Sequence, residues 1–427
     1  MNSSDVLKQS FAAAVAAADP LKIVGAHLPK PPKGRTLVVG AGKAAASMAK
    51  AVELAWPDGA ALSGLVITRY AHGLDLDRIR CIEAGHPVPD DAGERAAQQI
   101  LEEVKSLTPQ DQLVVLVSGG GSSLLSLPVD GVSMADLKKL TQDLLKSGAP
   151  ITDMNIVRKH LSKIQGGQLA LASQAPVCAL IISDVVGDDP SAIASGPCSA
   201  DPSTYADAIA ILKRWGVSPA ESIAQHLRSG AEGKTAETPK PGDPRISHAQ
   251  SIVIATAHAS LTAAADVFRA AGIRPIILGD SVTGEAREVA KVYASWAREL
   301  AFFPDGQLTL PIALISGGEC TVTVKGNGRG GRCVEFLLSL AIATEELQIA
   351  DRVTALAADT DGIDGVSPHA GAWLMPDSVS RARALGLNLQ ALLDNNDGLG
   401  LFEPLGTVIT SGPTRTNVND YRAIVVS

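Results

Sequence analysis

Short β-branched runs alternate with longer stretches rich in Ala and Leu along most of the chain. The short runs have the length of buried strands, and the longer stretches repeat their apolar residues at helical spacing. The predicted strands are Arg35–Val39, Gly64–Thr68, Leu113–Ser118, Cys178–Ser183, Ser251–Ala255, Pro275–Leu278, Ile312–Ser316 and Val353–Ala358. Strands separated by helices are typical of βαβ units, so the pattern predicts an α/β fold built on a parallel sheet.

The apolar periodicity is interrupted between residues 229 and 248, where Gly, Lys, Glu, Pro and Asp predominate. Within this region the segment 238–244 (TPKPGDP) can continue neither a helix nor a central strand, because proline lacks the backbone donor that both require. We therefore predict two domains, residues 1–240 and residues 245–427. A long surface loop inside a single domain is the alternative.

The first eighteen or so residues are predicted to form an amphipathic helix, with Val6, Phe11 and Val15 as its core positions. They lack the basic start and the apolar segment with a clear cleavage site that mark a signal peptide. No apolar run in the chain approaches the roughly 18–20 residues needed to cross a bilayer. The sequence therefore predicts no membrane segment.

Glycine-rich and acidic segments follow the predicted strands at their carboxyl ends, where open parallel sheets bind their ligands. The first is a GAGK turn that contains Gly40, Gly42 and Lys43 and leads into a predicted helix. The start of a helix offers free N–H groups to an anion, and Lys43 would add a cation. The GxGxxA spacing also fits a dinucleotide site, but Arg69 stands where the acid after the next strand is expected.

A second turn, SGGGSS, follows the third predicted strand. Its residues are Ser118, Gly119, Gly120, Gly121, Ser122 and Ser123. Three consecutive glycines lose much conformational freedom on folding, and close contact between the backbone and a ligand would explain them. The N–H groups and hydroxyls of such a turn are suited to an anion. A tight turn that caps a helix is the alternative, whereas Leu124 excludes the glycine-bounded elbow of a serine hydrolase.

Cationic and potentially cationic residues are concentrated at Arg158, Lys159, His160 and Lys163. This density is high for an ordinary helix start. We predict that Lys159 or Arg158 contacts an anion, the alternative being a solvated helix face.

Carboxylates collect after two predicted strands. Asp184, Asp188 and Asp189 follow the fourth strand, and Asp359 and Asp361 follow the last. Carboxylates at such positions bind Mg²⁺ together with waters and phosphates, or accept a proton from a hydroxyl. Capping of a helix by Asp188 or Asp189 is the structural alternative. The second cluster resembles a calcium loop, but the glutamate that closes an EF-hand is absent.

The C-terminal half contains another strand that ends in glycines, with Gly317, Gly318 and Glu319 at its end. Residues 326–332 follow (GNGRGGR), and Arg332 is their last residue. Arginine offers a planar fork of donors that suits phosphate, and the neighbouring glycines leave space for it. We predict phosphate or substrate contacts here.

Composition narrows the functional classes. Hydrophobic residues make up 46% of the 427 residues and aromatic residues only 3%, and the net charge is −8. The chain therefore has enough apolar residues for a large core. It lacks the positive charge and the aromatic rings with which nucleic-acid-binding proteins hold their ligands. The 5 cysteines are scattered and odd in number, which indicates a reducing cytoplasm and no structural zinc site. A monomer and a homodimer are both compatible with the sequence.

Taken together, these motifs resemble those of the class II glycerate 2-kinases, the family that carries the MOFRL domain. The segments that carry the resemblance are 40–44 (GAGKA), 118–123 (SGGGSS), 157–162 (VRKHLS), 183–190 (SDVVGDDP), 330–332 (GGR), 359–365 (DTDGIDG) and 411–420 (SGPTRTNVND). Several of them are long and occur in the order of the family, and they extend over nearly the whole chain.

The resemblance implies a Rossmann-like N-terminal domain, a smaller C-terminal α/β domain and an active site in the cleft between them. It implies the reaction of ATP with D-glycerate, with Mg²⁺, to give 2-phosphoglycerate and ADP. Lys43 and Arg332 match basic residues of the family's site. The chain departs from the family at Cys333 and Val334, where Asn-Gln is usual, and at Arg415, where a small residue is common. These departures concern substrate specificity.

We assign Lys43 and Arg332 to the charge that develops in the transition state, and Asp188 or Asp184 to the metal or to proton acceptance. The SGGGSS turn would hold glycerate or a phosphate. The expected metal ligands are Asp184, Asp189, Asp359 and Asp361.

Two other functions fit parts of the sequence. An NAD(P)-dependent hydroxypyruvate reductase would use the GxGxxA turn, with Arg69 at a 2′-phosphate, but the sequence shows no His–carboxylate pair for proton delivery. A non-catalytic binder of small organic anions would need only two domains and amide-rich turns.

Overall fold

A computed structural model of the chain describes residues 3–303 and 308–427. The helices are α1 (Ser3–Ala17), α2 (Pro20–Ile23), α3 (Ala45–Ala55), α4 (Asp91–Lys105), α5 (Gly121–Leu124), α6 (Met134–Ser147), α7 (Ile151–Lys159), α8 (Gln168–Leu171), α9 (Tyr205–Arg214), α10 (Glu221–Ala231), α11 (Ala257–Ala270), α12 (Ala286–Phe302), α13 (Arg332–Glu346), α14 (Ser378–Ala384), α15 (Leu389–Asp394) and α16 (Leu399–Phe402). Short 3₁₀ turns are formed by Val24–His27, Ile193–Ser195, Pro244–Ile246 and Ala350–Arg352.

The strands are β1 (Thr36–Ala41), β2 (Leu62–Arg69), β3 (Ile79–Ala84), β4 (Gln112–Val117), β5 (Val177–Ile182), β6 (Ala249–Ala255), β7 (Arg274–Gly279), β8 (Gly284–Glu285), β9 (Ile312–Ser316), β10 (Cys320–Thr321), β11 (Val353–Asp359), β12 (Gly371–Leu374), β13 (Val408–Ile409) and β14 (Asp420–Val426). Each strand predicted from the sequence overlaps one of these, whereas β3, β12, β14 and the three shortest strands were not predicted.

The chain divides into two compact units, one formed by Pro20–Ile254 and the other by Ala255–Ser427 together with the segment that ends at Asp19. This division differs from the predicted ranges 1–240 and 245–427 in two ways. The N-terminal unit extends further because β6 joins its sheet. Helix α1 is assigned to the C-terminal unit, where it packs along α11.

The N-terminal unit is built on a six-stranded sheet with the order β3-β2-β1-β4-β5-β6. The pairs β2–β3, β1–β2, β1–β4 and β4–β5 are parallel. This is the strand order of a Rossmann-like fold, so the predicted fold class is confirmed. All residues of β1 and β5 are buried, as is usual for the central strands of a parallel sheet covered on both faces.

The register of this sheet brings three of the predicted turns to one edge. Ala41 at the end of β1 lies beside Val117 at the end of β4, and Val117 lies beside Ile181 near the end of β5. The segments that follow these strands therefore begin next to one another, as the sequence predicted from the shared direction of the strands.

The main sheet of the C-terminal unit has the order β13-β12-β11-β14-β9-β7. Only the pair β7–β9 is parallel, and β11, β12, β13, β14 and β9 pair in antiparallel fashion. The prediction of a parallel sheet was wrong for this unit, because β14 inserts between β9 and β11 in the opposite direction.

The reversed direction of β14 determines which residues share an edge of this sheet. The first residue of β14, Asp420, pairs with Asp359, the last residue of β11. Two residues further on, Arg422 pairs with Ser316, the last residue of β9. The start of β14 thus lies at the same edge as the ends of its two neighbours.

Helices cover both faces of the C-terminal sheet. On one face, α1 and α11 bury Phe11 and Phe268 against Tyr421. On the other, α12 and α13 bury Tyr293 and Phe336. The helix predicted at the start of the chain is confirmed as α1, with Val6 and Phe11 buried. Among residues 3–303 and 308–427, no helix combines the length and apolar character needed to span a membrane.

Candidate active site

Two glycines of the GAGK turn allow the ends of β1 and β4 to approach closely. A Cβ atom on Gly40 would lie 2.1 Å from the carbonyl oxygen of Leu116, and a Cβ atom on Gly42 would lie 2.1 Å from Oγ of Ser118. Neither position has room for a side chain. These glycines are therefore explained by contact between neighbouring strands and turns.

The first N–H groups after this turn are engaged by the SGGGSS turn. The N–H of Lys43 donates to the carbonyl oxygen of Gly119 at 2.8 Å, and the N–H of Ala44 donates to Oγ of Ser118 at 3.0 Å. The anion site predicted from backbone amides at the start of α3 has therefore lost two of its donors to the protein itself. The Lys43 side chain is half-buried at the junction of the two turns.

The SGGGSS turn is tied to a histidine that the sequence did not single out. Gly120 adopts φ +80° and packs against the ring of His86. The ring Nδ1 of His86 lies 2.7 Å from Oγ of Ser123, which also donates to the carbonyl oxygen of Gly120 at 3.1 Å. Oγ of Ser122 lies 2.9 Å from Oγ of Ser195. The hydroxyls of Ser122 and Ser123 are thus held in defined positions.

Ser195 belongs to a left-handed run of backbone. Ala194, Ser195 and Gly196 have φ values of 49°, 58° and 59°, and for the first two residues this region is strained. The buried Ser195 hydroxyl donates to Oδ1 of Asn155 at 3.2 Å, and Arg158 donates from Nη1 to the same oxygen at 3.3 Å. The strained run thereby links the SGGGSS turn to α7.

Several of these side chains line a cavity of about 380 Å³ in the N-terminal unit. Its lining includes His86, Ser122, Ser123, Asn155, Arg158 and Asp184. The structure therefore brings together Gly120, Ser122 and Ser123 of the SGGGSS turn, Arg158 of the basic segment and Asp184, the first of the predicted acids. Lys43, Lys159, Asp188 and Asp189 do not belong to this lining.

Lys159 points to a buried carboxylate instead. Its ammonium lies 3.4 Å from Oδ1 of Asp201, with 7% of the Lys159 side chain and 0% of the Asp201 side chain exposed. Burial raises the pKa of Asp201, but Lys159 and hydrogen bonds from Ser203 outweigh it, and the net pKa is lowered. Of the two cations proposed to reach an anion, Arg158 lines the cavity and Lys159 forms an internal ion pair.

The three acids after β5 have separate environments. Asp189 is exposed, and its carboxylate accepts hydrogen bonds at 2.8 Å from both the N–H and the hydroxyl of Ser191. Its side chain stabilises its own turn, whereas the structural alternative was the capping of a helix. Asp188 adopts φ +53° in that turn. Asp184 is half-buried in the cavity lining.

In the C-terminal unit, Arg332 lies at the first position of α13 and contacts three carboxylates. Nη2 donates to Asp359 at 2.7 Å, Nε donates to Asp420 at 2.8 Å, and Nη1 lies 3.0 Å from Glu319. Burial lowers the pKa of Arg332, but these carboxylates outweigh it and the net pKa is raised. Two predicted site residues, Glu319 and Asp359, thus hold the predicted cation in a fixed orientation.

A second arginine, Arg422, binds Asp420 of the charge cluster that Arg332 forms with Glu319, Asp359 and Asp420. Arg422 is 1% exposed, and it donates from Nη2 to Oδ2 of Asp420 at 2.6 Å and from Nη1 to the carbonyl oxygen of Gly317 at 3.0 Å. Gly318, with φ +97°, accepts the N–H of Asp420 through its carbonyl oxygen. The two glycines therefore connect β9 to the charge cluster.

The remaining acids of the DTDGIDG segment are buried and bound to backbone donors. Oδ1 of Asp359 accepts the N–H of Asp361, and Oδ1 of Asp361 accepts the N–H of Ile363, both at 2.9 Å. Asp364 accepts the N–H groups of the two residues after Arg332 at 3.0 Å each. Its carboxylate occupies the start of α13, and complete burial raises its pKa to about 6.

Comparison with known proteins identifies the family. Residues 6–228 match a domain of unknown function named DUF4147, and residues 312–420 match the MOFRL family. The D-glycerate 2-kinase of Thermotoga maritima is 38% identical over 419 residues, which cover 97% of this chain and 95% of the relative. The chain belongs to the family of MOFRL-domain glycerate 2-kinases. The resemblance predicted from the motifs is confirmed.

Other relatives extend this comparison. The crystal structure of glycerate kinase from Thermotoga maritima superposes with a TM-score of 0.87 at 37% identity and covers 99% of both chains. The glycerate 2-kinase of Pyrococcus horikoshii is 36% identical over 92% of this chain and 88% of its own length. A protein of Agrobacterium vitis that carries a provisional hydroxypyruvate reductase name is 48% identical over 100% of this chain and 95% of its own length.

The residues that depart from the family pattern are Cys333, Val334 and Arg415, and the first two belong to the packed core. The side chains of Cys333 and Val334 are buried in the core of the C-terminal unit, and their N–H groups are the ones that Asp364 accepts. The contact with Asp364 is made by the backbone and does not depend on the side chains. Arg415 is half-buried and adopts φ +57°.

Several residues of the two clusters were not singled out by sequence reasoning. His86 and Asn155 line the cavity, and Ser195 contacts Asn155 and Ser122 of that lining. All three are brought there by tertiary contacts alone. Arg422 had a recognisable signal, because it is the one charged residue between Asp420 and the apolar end of β14. Asp420 was recognisable only as the last residue of the C-terminal motif.

The residues present fit a magnesium ion that arrives with phosphate ligands. In the described ranges 3–303 and 308–427, no three or more His, Cys, Asp or Glu side chains come together as a metal site. Mg²⁺ is commonly held by one or two carboxylates, waters and substrate phosphates rather than by a protein cage. Asp184 in the cavity and Asp359 or Asp361 in the charge cluster could provide such a carboxylate, whereas both oxygens of Asp189 are engaged by Ser191.

Proposed function

We propose that this protein is a kinase that transfers the terminal phosphoryl group of ATP to the 2-hydroxyl of D-glycerate, giving 2-phosphoglycerate and ADP. The observation that carries the proposal is the 38% identity to a D-glycerate 2-kinase over nearly the full length of both chains. The glycerate kinase of Rattus norvegicus, at 34% identity over 79% of this chain, supports the same activity.

The inventory of side chains suits phosphoryl transfer. This reaction requires positioning of the substrates and neutralisation of charge on the transferring oxygens, with little covalent chemistry from the protein. We assign Lys43 and Arg332 to that charge. Arg332 is held by three carboxylates, so its orientation is set before the substrate binds, which is the condition for effective electrostatic stabilisation.

We propose that ATP acts as its Mg²⁺ complex. The ion would neutralise phosphate charge, and Asp184, Asp359 and Asp361 are the carboxylates that would contribute to its binding. Asp188 remains a candidate for accepting the proton of the glycerate hydroxyl, together with Asp184.

Reduction of hydroxypyruvate with NAD(P)H is the alternative. It is attached to the Agrobacterium vitis relatives only as a provisional name. In a dinucleotide-binding fold the pyrophosphate is bound by N–H groups at the first βα turn. Here the N–H groups of Lys43 and Ala44 are bonded to Gly119 and Ser118, which disfavours that site.

We also propose that the reaction takes place in the cytoplasm and involves small molecules without nucleic acid. The cysteines are free, which suits a reducing compartment. The charge of −8 provides no general attraction for polyanions.

One assay decides between these functions. ADP release would be followed through a coupled reaction with glycerate, tartronate, hydroxypyruvate and tartrate as acceptors, and NADH oxidation with hydroxypyruvate would be measured in parallel. We expect ADP release with D-glycerate and no NADH oxidation. Phosphorus NMR of the mixture should show 2-phosphoglycerate, and a product that is mainly 3-phosphoglycerate would contradict the proposed acceptor hydroxyl.

A further inference from the structure

The cavity of the N-terminal unit is large and mostly apolar for a site that would hold glycerate alone. Its volume of about 380 Å³ lies in the range of small-molecule pockets. Pro87 and Val88 contribute apolar surface from one segment, and Leu137 and Leu145 contribute it from α6. A three-carbon hydroxy acid has almost no apolar surface to bury against such walls.

One face of α7 carries both apolar and polar lining residues. Ile151, Met154, Asn155 and Arg158 all line the cavity, and their spacing of three and four residues places them along one stripe of the helix. From Ile151 to Arg158 the stripe extends for about 10 Å at the helical rise per residue. It is apolar at its start and cationic at its end. A nucleotide has the same polarity, with a flat base at one end and phosphates at the other.

Within residues 3–303 and 308–427, no carboxylate forms an ion pair with Arg158. Its guanidinium is partly buried, and its hydrogen bond among the described residues goes to the neutral amide oxygen of Asn155. Burial lowers the pKa of Arg158, and no carboxylate opposes that effect. A cation withdrawn from water is unfavourable unless it is paired with an anion. The lining also contains Lys138 and a single carboxylate, Asp184.

The polar side of the cavity is held in place around Arg158. Asn155 accepts hydrogen bonds from Arg158 and Ser195, and Ser195 also contacts Ser122. The left-handed backbone of Ala194 and Ser195 is strained, and strain of this kind is concentrated at ligand sites. The arrangement presents hydroxyl and guanidinium donors together, the combination that binds phosphate oxygens.

We propose that this cavity is the nucleotide site, with the base of ATP against the apolar surface of α6 and α7 and its phosphates at Arg158 and the Ser122–Ser123 hydroxyls. This inference rests on the proposed kinase function for the identity of the nucleotide. Asn155 and Ser195 are positioning residues that orient the guanidinium.

The test measures binding of ADP and of tripolyphosphate to the full chain by isothermal titration calorimetry. Arg158→Gln removes a charge-assisted contact to phosphate, so the dissociation constants of both ligands should rise by about tenfold or more. Leu145→Glu alters an apolar lining residue that is 61% exposed. It should weaken ADP by about tenfold and tripolyphosphate by less than about threefold, because only ADP carries a base.

Matched controls separate binding from folding. Arg214→Gln removes an arginine of the same unit that is 64% exposed and paired with Asp153, and it should leave both affinities at the wild-type value. Arg158→Lys keeps the charge and should recover part of the ADP affinity. If Arg158→Gln does not fold, Leu145→Glu still tests the base-binding surface, since its side chain is exposed.

Steady-state kinetics distinguish this inference from the proposed function. We expect Arg158→Gln to raise the KM for ATP and to change the KM for glycerate by less than about twofold. A raised KM for glycerate with wild-type ADP affinity would overturn the nucleotide site and leave the kinase function intact. Weaker ADP binding in a protein that never phosphorylates glycerate would support the site and refute the proposed acceptor.

Discussion

Asp420→Asn should destabilise the C-terminal unit far more than the loss of one ordinary ion pair. Asp420 lies between two guanidinium groups, at 2.8 Å from Nε of Arg332 and 2.6 Å from Nη2 of Arg422. The Arg422 side chain is 1% exposed and pairs with Asp420. The substitution keeps the shape of the side chain but removes the negative charge that both arginines face.

The size of the expected loss in unfolding free energy follows from the burial of the Arg422–Asp420 ion pair. Removing one partner of a buried ion pair leaves the other charge uncompensated and costs about 3–5 kcal/mol. Arg422 fits that case, because its other hydrogen bond among the described residues goes to the neutral carbonyl oxygen of Gly317. We therefore expect the free energy of unfolding of the C-terminal unit to fall by about 3 kcal/mol or more.

Two matched variants make the reasoning specific. Glu288→Gln removes a carboxylate that pairs with Lys291 on the surface, where the side chains are 60% and 56% exposed, and it should cost less than about 1 kcal/mol. The double variant Asp420→Asn/Arg422→Met removes both members of the buried pair. It should recover a substantial part of the stability lost in the single variant, since no buried charge is then left without a partner.

The assay is urea unfolding combined with hydrogen exchange of the β14 amides, since exchange reports opening of that strand separately from the N-terminal unit. In Asp420→Asn the β14 amides should exchange faster by about two orders of magnitude, the factor that corresponds to 3 kcal/mol. A loss of stability no greater than that of Glu288→Gln would refute the argument that Asp420 compensates a buried charge.

The remaining predictions concern catalysis and pH. Lys43→Ala should lower kcat by roughly two to four orders of magnitude, as loss of an electrostatic stabiliser does, and a stable variant with wild-type kcat would exclude Lys43 from the chemical step. Excess EDTA should abolish ADP release and added Mg²⁺ should restore it, so undiminished turnover in EDTA would count against a metal-bound nucleotide. Burial raises the pKa of Asp364 from 3.8 to about 6, so the folded state binds the proton more tightly than the unfolded state and stability falls as pH rises between about 4 and 6. The stability advantage of the wild type over Asp364→Asn, measured by urea unfolding, should therefore shrink by about 2–3 kcal/mol from pH 4 to pH 7, and an advantage that grows with pH would contradict this assignment.

Local sequence determined the central strands of the N-terminal sheet and the turns at their ends. The run that forms β5 is apolar throughout, and the runs that form β1 and β4 are free of polar side chains after their first residues, Thr36 and Gln112. Both faces of these strands are buried, and this leaves a clear signal in the chain. The glycines of the GAGK turn are an equally clear signal in the sequence. Their sequence signal indicates close backbone approach, but only the structure shows that the approaching groups are Leu116 of β4 at Gly40 and Ser118 at Gly42.

Strand direction in the C-terminal unit was decided by tertiary structure. The apolar runs of β9, β11 and β14 are compatible with either direction, since hydrophobic burial alone does not distinguish parallel from antiparallel pairing. The insertion of β14 in the reverse direction brings Asp420 next to Asp359. The carboxylate pair that holds Arg332 therefore depends on a pairing between strands some sixty residues apart, which local patterns do not encode.

Side-chain direction was likewise beyond the sequence. Arg158 and Lys159 are adjacent on α7, and successive residues of a helix point about 100° apart. One therefore lines the cavity while the other pairs with Asp201 inside the protein. The chain itself determined that cations and carboxylates would gather at the ends of these strands. Which of them face a ligand and which neutralise one another was decided only by the packing of helices and turns, because that packing determines which charges lose contact with water.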